Sequence, residues 1–328
     1  MGGLSRIYGK ISKEFKYGVQ DILQLPVQIK KPVVLVFHGI DTEGNRKINS
    51  RFISHKKLDD LLVFFKKQVK FISVSDLFKG NFDSSQPHMA LSFDDGYRNN
   101  LQWLLPILEK HQIPASIYIT TARTQGYDML WTDCMDLAAY IDHTPFILDG
   151  DKFIHTGVKG YRSVQTHEYL KSLAKKKDWN YKHRLMETLP GAGGIRQNPR
   201  LKVYWELLNE EEIRTLSKSP LITIGSHAQL HNCLGESPHE EALEELKISK
   251  TYLENLIQKE VTELAYPDGS YTDPLALDAF EMGYSLQLIG NYLTEQSKTF
   301  SFLLPRFITN PHISPYNQLF CIAKGKYY

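Results

Sequence analysis

The sequence predicts an α/β fold around a mostly parallel sheet, open or closed into a barrel, and three observations predict it. Short apolar runs alternate with longer segments whose apolar residues recur at helical spacing. The chain has 328 residues, 42% of them hydrophobic, enough for one large domain or one domain with an inserted lobe. Polar residues suited to chemistry stand where apolar runs stop, and the carboxyl ends of parallel strands are where such folds keep their active sites.

The elements follow in order. PVVLVFHG (32–39) reads as a buried strand. SHKKLDDLLVFFKKQ (54–68) is a helix with Ser54 as N-cap. KFISVSDLF (70–78) gives a short strand and a turn, and HMALSFDDG (88–96) the next strand. NNLQWLLPILEKHQ (99–112) is a helix interrupted near Pro106, followed by the strand IPASIYITT (113–121). Residues from about Thr132 to Arg200 break the alternation. They hold a hairpin around Asp149-Gly150, Lys-rich helical text and the loop LPGAGGIRQNPR (189–200). The alternation resumes with LNEEEIRTLSKS (208–219), a helix capped by Asn209 with acidic residues in its first turn. Strand PLITIGSH (220–227), a long helix (237–260), strand VTELAYPDG (261–269), helix PLALDAFEMGY (274–284) and strands SLQLIG (285–290) and FSFLLPRFIT (300–309) complete the chain. Internal repeats and low-complexity tracts are absent.

Lys plus Arg is 39 and Asp plus Glu 37, so the formal charge is only +2 and a general nucleic-acid binder is not expected. The three cysteines, Cys134, Cys233 and Cys321, are far apart and form no CxxC. Neither a disulfide framework nor a zinc ribbon is expected, and a reducing compartment is the simpler reading. The first 21 residues lack an unbroken apolar run, no stretch is long enough to span a membrane, and Arg6 stands where a myristoylation signal after Gly2 needs Ser or Thr. A cytoplasmic location is therefore expected. Oligomeric state is not legible.

Two adjacent carboxylates, Asp94 and Asp95, end the apolar run MALSF. Like charges repel, and a nearby dication is one arrangement that keeps both ionised. His227 and His231 are spaced H-x-x-x-H; on a helical turn both imidazoles would share a face and reach one ion. One aspartate then completes a two-histidine, one-carboxylate set with positions open for water and substrate, and the other is free as a base. His38, Asp268 and Arg306 also stand at apparent strand ends of the same sheet. Cys233 could reach the same ion but reads as a small buried residue.

These residues resemble the motifs of the polysaccharide deacetylase family, also called the NodB-homology domain or carbohydrate esterase family 4. LSFDDG (91–96) resembles its first motif, SHAQLH (226–231) its second and LAYPDGSY (264–271) its third. VVLVFHGI (33–40) and the helix and strand after it resemble a branch with an N-terminal YHxI strand. The likeness runs over about 33–121 and 208–310, leaving 132–200 uncovered. It implies a deformed (β/α) barrel. The break in alternation marks 132–200 as an inserted lobe, with residues 31–328 expected to form the catalytic domain and 1–30 an N-terminal extension. The likeness also implies a divalent metal, commonly zinc, and removal of an N-acetyl or, less often, O-acetyl group from a sugar. By motif, Asp95, His227 and His231 are metal ligands, Asp94 the general base and the Asp268 backbone N–H an oxyanion donor. His38 matches the histidine that serves that branch as general acid.

Departures are visible. Ala228 replaces the usual Ser or Thr and Asn232 the proline after the second histidine. The third motif reads Ala265-Tyr266-Pro267-Asp268, so the arginine that orients the base is missing. Arg306 could take its place through a bidentate contact, or form a structural ion pair. Trp131 and Tyr271 could stack on a sugar or belong to the core. The expected function is a metal-dependent sugar N-deacetylase acting on a glycan or a lipid- or nucleotide-linked precursor. The alternatives are a hydrolase of a small cyclic amide or purine derivative, and a non-catalytic carbohydrate-binding protein. A two-histidine iron oxygenase is disfavoured because its usual antiparallel jelly roll conflicts with the helix alternation.

Overall fold

A computed structural model describes residues 14–23, 26–157 and 159–327. Gly2, Arg6 and most of the stretch read for a leader lie outside them. In chain order the strands are β1 (Val33–Phe37), β2 (Ile40–Asp41), β3 (Ile53–Ser54), β4 (Lys70–Phe71), β5 (His88–Phe93), β6 (Ala115–Ile119), β7 (Phe146–Leu148), β8 (Asp151–His155), β9 (Tyr161–Ser163), β10 (Ile222–Ser226), β11 (Glu263–Ala265), β12 (Leu286–Ile289) and β13 (Leu303–Ile308). The main sheet runs β1-β13-β12-β11-β10-β6-β5-β4, all parallel, and β1 also pairs with β5. That last pairing closes seven strands into a barrel, with β4 on the start of β5.

Closure buries both faces of the strands, which is why β5 is apolar almost throughout and buried at every position. One set of alternate residues, including Val34, Ala90, Tyr118, Ala265 and Leu288, fills the interior. The other set, Leu35, Phe37, Leu91, Phe93 and Ile117, packs against surrounding helices. Helix His55–Lys66 presents Leu58, Leu61, Leu62 and Phe65 to that layer, and Ser54 caps it by accepting from the Lys57 N–H. Asn209 and Glu212 form a reciprocal capping box on helix Glu210–Ser217. Near Pro106 the chain passes from a π-helical turn, Asn100–Leu104, into α-helix Leu105–His111, the expected interruption.

Two expected loops are ordered instead. Residues Val74–Lys79 form a short helix, with Ser73 as its cap and Gly80 in the left-handed conformation at its end. Within 189–200, Ala192–Gln197 is helical and a 3-10 turn starts at Pro199. Here Gly191, Gly193 and Gly194 mask a helix whose Ile195 is buried in the lobe. The hairpin at Asp149-Gly150 is present, with φ of 48° and 80° at its two turn residues, and β7, β8 and β9 form a small antiparallel sheet. Phe146, Phe153, Tyr161, Leu185 and Ile195 share a second hydrophobic cluster with Trp131, distinct from the barrel's. The cysteines are free and buried. No helix among the described residues is long and apolar enough to cross a membrane, and nothing in the fold bears on the expected cytoplasmic placement.

Candidate metal centre

The site forms where β1, β5, β10 and β11 end. β5 continues its pairing one step further, the Asp94 N–H donating to the Phe37 carbonyl at 3.0 Å. The chain then turns through left-handed conformations at Asp95 (φ 77°) and Gly96 (φ 75°). A Cβ on Gly96 would lie 3.1 Å from the Ile119 side chain and 3.2 Å from its Cα, so glycine lets the turn press against β6. An aspartate tolerates the left-handed region better than most residues, because its short polar side chain can bond locally.

His227 and His231 do converge on Asp95, but by a different route from a helical turn. Residues 227–233 are an irregular loop, left-handed at Ala228 (φ 59°) and His231 (φ 56°). The two Nε2 atoms lie 3.4 and 3.1 Å from Asp95 Oδ1. One ligand atom from each residue falls within 4.8 Å of the others. The His227 Nδ1–H donates to the Ala265 carbonyl at 2.7 Å, which in the neutral ring leaves the Nε2 lone pair facing the carboxylate. Both Nε2 atoms thus face one carboxylate oxygen in a buried space, where neither Asp95 oxygen has a hydrogen-bond partner of good geometry. Two imidazoles and a carboxylate converging on one point are a donor set that fits a divalent cation.

Asp94 sits beside this trio. Arg306 grips it with two bonds, Nη1 to Oδ1 at 2.7 Å and Nη2 to Oδ2 at 2.8 Å, with both side chains almost buried. Nη1 also reaches the Ser92 hydroxyl at 3.2 Å, and the guanidinium stacks 5.6 Å from the Tyr118 ring centroid. Arg306 is not at a strand end, as expected, but within β13, in register with Val34. It reaches Asp94 from inside the barrel.

Burial pushes the Asp94 carboxyl up, but Arg306, His227 and His38 outweigh it and hold it below the ordinary aspartate value. Asp95 is held well below that value: burial opposes ionisation, and the His227 and His231 contacts override it. His227 moves the other way. Burial disfavours its proton, yet the facing Asp94 and Asp95 raise its affinity above the usual imidazole range. His38 is half-buried at the end of β1, and desolvation lowers it to about 4 despite the pull of Asp95 and Asp94.

Asp268 has φ 54° and stands in a single 3-10 turn after β11, where early N–H groups have no acceptor within the turn. Its carboxylate accepts from Lys175 Nζ at 2.8 Å and from the Cys233 thiol at 3.5 Å. Burial opposes its ionisation, but His231 and Lys175 bring it down to about 2. Cys233 is therefore a buried thiol turned to Asp268. Trp131 and Tyr271 are 1% and 2% exposed, so both belong to the core rather than to a sugar platform.

Sequence reasoning missed Arg51, Asp133 and Tyr97. Arg51 bonds Asp133 Oδ1 at 2.8 Å and lies 3.5 Å from Asp95 Oδ2, while the Tyr97 hydroxyl donates to Asp133 at 2.8 and 2.9 Å. Burial, only partly offset by Arg51, lifts Asp133 to about 7. These residues come from separate loops and one lobe helix, and no local spacing announces such a contact.

The sequence matches the family model described as polysaccharide deacetylase over residues 82–286. Solved structures with a similar fold include the Streptococcus pyogenes deacetylase PplD in complex with acetate, 16% identical with a TM-score of 0.55 over 90% of this chain and 97% of that one. IcaB from Ammonifex degensii is 15% identical, with a TM-score of 0.56 over 90% of this chain and 98% of that one. A de-N-acetylase from Aggregatibacter actinomycetemcomitans is 14% identical, with a TM-score of 0.51 over 86% and 96% respectively. No curated protein sequence matches.

Proposed function

This chain belongs to the polysaccharide deacetylase family, and on that premise we propose that it is a divalent-metal hydrolase that removes the N-acetyl group from a sugar of a glycan or glycan precursor. The observation that carries the reading is the buried Asp95, His227 and His231 trio beside an Asp94 kept anionic by Arg306. Asp95 Oδ1 and the two Nε2 atoms would hold the ion, with zinc favoured by the mixed imidazole and carboxylate set. The ion would supply a Lewis acid for the acetyl carbonyl and for the attacking water.

Asp94 takes the proton of the attacking water. Its bidentate arginine fixes the carboxylate and keeps it ionised, which a base needs before it acts. The Asp268 N–H serves the oxyanion as carbon becomes tetrahedral. His38 delivers the proton to the departing amine. With burial holding it to about 4, the imidazole enters turnover neutral at pH 7 and must gain that proton during the cycle. Asp94, which receives one from water, is among the groups whose charge it senses. Residues 31–328 act as the catalytic domain, and the lobe at 132–200 shapes the mouth of the barrel, where Lys175 reaches Asp268.

The test is metal analysis paired with acetate release from a panel of N-acetylated glycans. Asp94→Asn should keep its metal and lose about 10²–10⁴-fold in turnover, the range of a general base. Full activity in that variant ends the base assignment. Cleavage of a small cyclic amide without acetate release supports the alternative hydrolase, and sugar binding without turnover the non-catalytic one.

A further inference from the structure

We propose that the lobe is a working part of the metal centre: Lys182, acting through Asn232, and the Trp131 indole clamp the loop that presents His231. The inference rests on the metal reading above and adds positioning residues to it.

Lys182 lies on lobe helix Trp179–Thr188 and is 1% exposed. A lysine is almost never so buried without a partner that satisfies its charge. Its Nζ donates to Asn232 Oδ1 at 2.5 Å and lies 5.0 Å from the Trp131 ring centroid. Asn232 in turn donates through Nδ2 to Glu245 Oε1 at 2.5 Å. Glu245 is buried on the barrel helix His239–Ile257, and its second oxygen accepts the Leu230 N–H at 2.9 Å. The carboxamide is thus held between an ammonium and a carboxylate. Its oxygen can face only the first and its NH₂ only the second, so its orientation is fixed.

Between these anchors stands His231. Trp131, the first residue of a lobe helix, donates its indole N–H to the His231 carbonyl at 2.9 Å. Leu230 is therefore held by Glu245, His231 by Trp131, and Asn232 by both Lys182 and Glu245, so that Trp131 and Lys182 bring the lobe helices to this loop. His231 needs that support. It is left-handed, a conformation that costs a non-glycine residue about 1–3 kcal/mol and persists only where surroundings impose it. Asparagine at 232 puts no proline ring against the His231 backbone, so local chemistry does not set its angles. Partners outside a metal's ligands that orient those ligands characteristically change metal affinity by about 10–100-fold when removed.

The probe is Co²⁺, titrated into the purified full chain by calorimetry and by its visible spectrum. Lys182→Met keeps the apolar stem on Trp131 and removes the ammonium. Trp131→Phe keeps most of the ring and removes the N–H. Each should weaken Co²⁺ binding by about 10–100-fold and alter the visible band. The double variant Lys182→Met/Asn232→Leu should lose no more than the worse single one, because both cut one path. Lys182→Arg should recover part of the affinity. Co²⁺ affinities within about twofold of wild type, with an unchanged spectrum, overturn the clamp. If Lys182→Met does not fold, Trp131→Phe decides by the same readings. A wild-type chain that takes up no Co²⁺ sinks the metal reading and the clamp with it, whereas normal uptake with unaffected variants overturns the clamp alone.

Discussion

Two neighbouring carboxylates, Asp94 and Asp95, end in different electrostatic company, and that difference assigns their work. Asp95 faces imidazole nitrogens and Asp94 faces a guanidinium. Replacing Arg306 with Met should let desolvation lift Asp94, so the acid limb of the kcat/KM profile should move to higher pH. A pH–rate profile checks this; an unmoved limb means Asp94 does not set it. His227 makes a second case. Its proton affinity is raised above the ordinary 6.5 by the two aspartates, so the metal-free ring keeps its proton past that pH and loses it as pH rises through the higher value. Metal uptake near neutral pH must therefore displace a proton, and apparent affinity should climb with pH. Calorimetry in buffers of different ionisation enthalpy should show proton release that fades above the raised value. The motif residues were legible because type and spacing suffice to suggest them. Arg51, Asp133 and Tyr97 were not, since each matters only through contacts across the fold.

At the scale of elements, alternating apolar runs and amphipathic segments specified nearly every barrel strand and helix, because closure buries both faces of a parallel strand. What the pattern could not supply was the conformation of the metal loop. H-x-x-x-H reads as a helical turn, yet the left-handed Ala228 and His231 give the same convergence from irregular backbone. Left-handed residues other than glycine leave no periodic trace. The turn after β5 is similar, and it carries a prediction. Gly96→Ala places a methyl against Ile119 in a backbone region that disfavours it. It should destabilise the fold by about 1–3 kcal/mol and displace Asp95, lowering metal content together with the thermal midpoint. An alanine variant with normal metal content and stability would show that β6 yields at that contact.

For the whole molecule, one loop joins two hydrophobic clusters. The barrel's layer contains Ala228 and Leu234, while Leu230 packs against the lobe's. The sequence marked the lobe only as an interruption, since a hairpin and short helices carry no sign of what they lean on. In the structure two of the lobe's helices reach the loop that carries His231, through Trp131 and Lys182. Binding an ion stabilises the folded chain by about 4 kcal/mol when free metal is a thousand times its dissociation constant. That stabilisation should concentrate where the ligands are tethered. Chelation should therefore speed amide exchange in residues 227–233 and, through Trp131 and Lys182, at the buried start of helix Trp131–Ile141 and around Tyr181 and Lys182 in helix Trp179–Thr188. Amides in the middle of helix His239–Ile257 should change less, because that helix is held on the barrel by Ala242, Leu246 and Leu253. Hydrogen exchange with mass-spectrometric readout on holo and chelated protein separates the cases. Faster exchange in 227–233 alone would mean that the lobe is a bystander, whereas change in both regions means that metal, loop and lobe open as one unit.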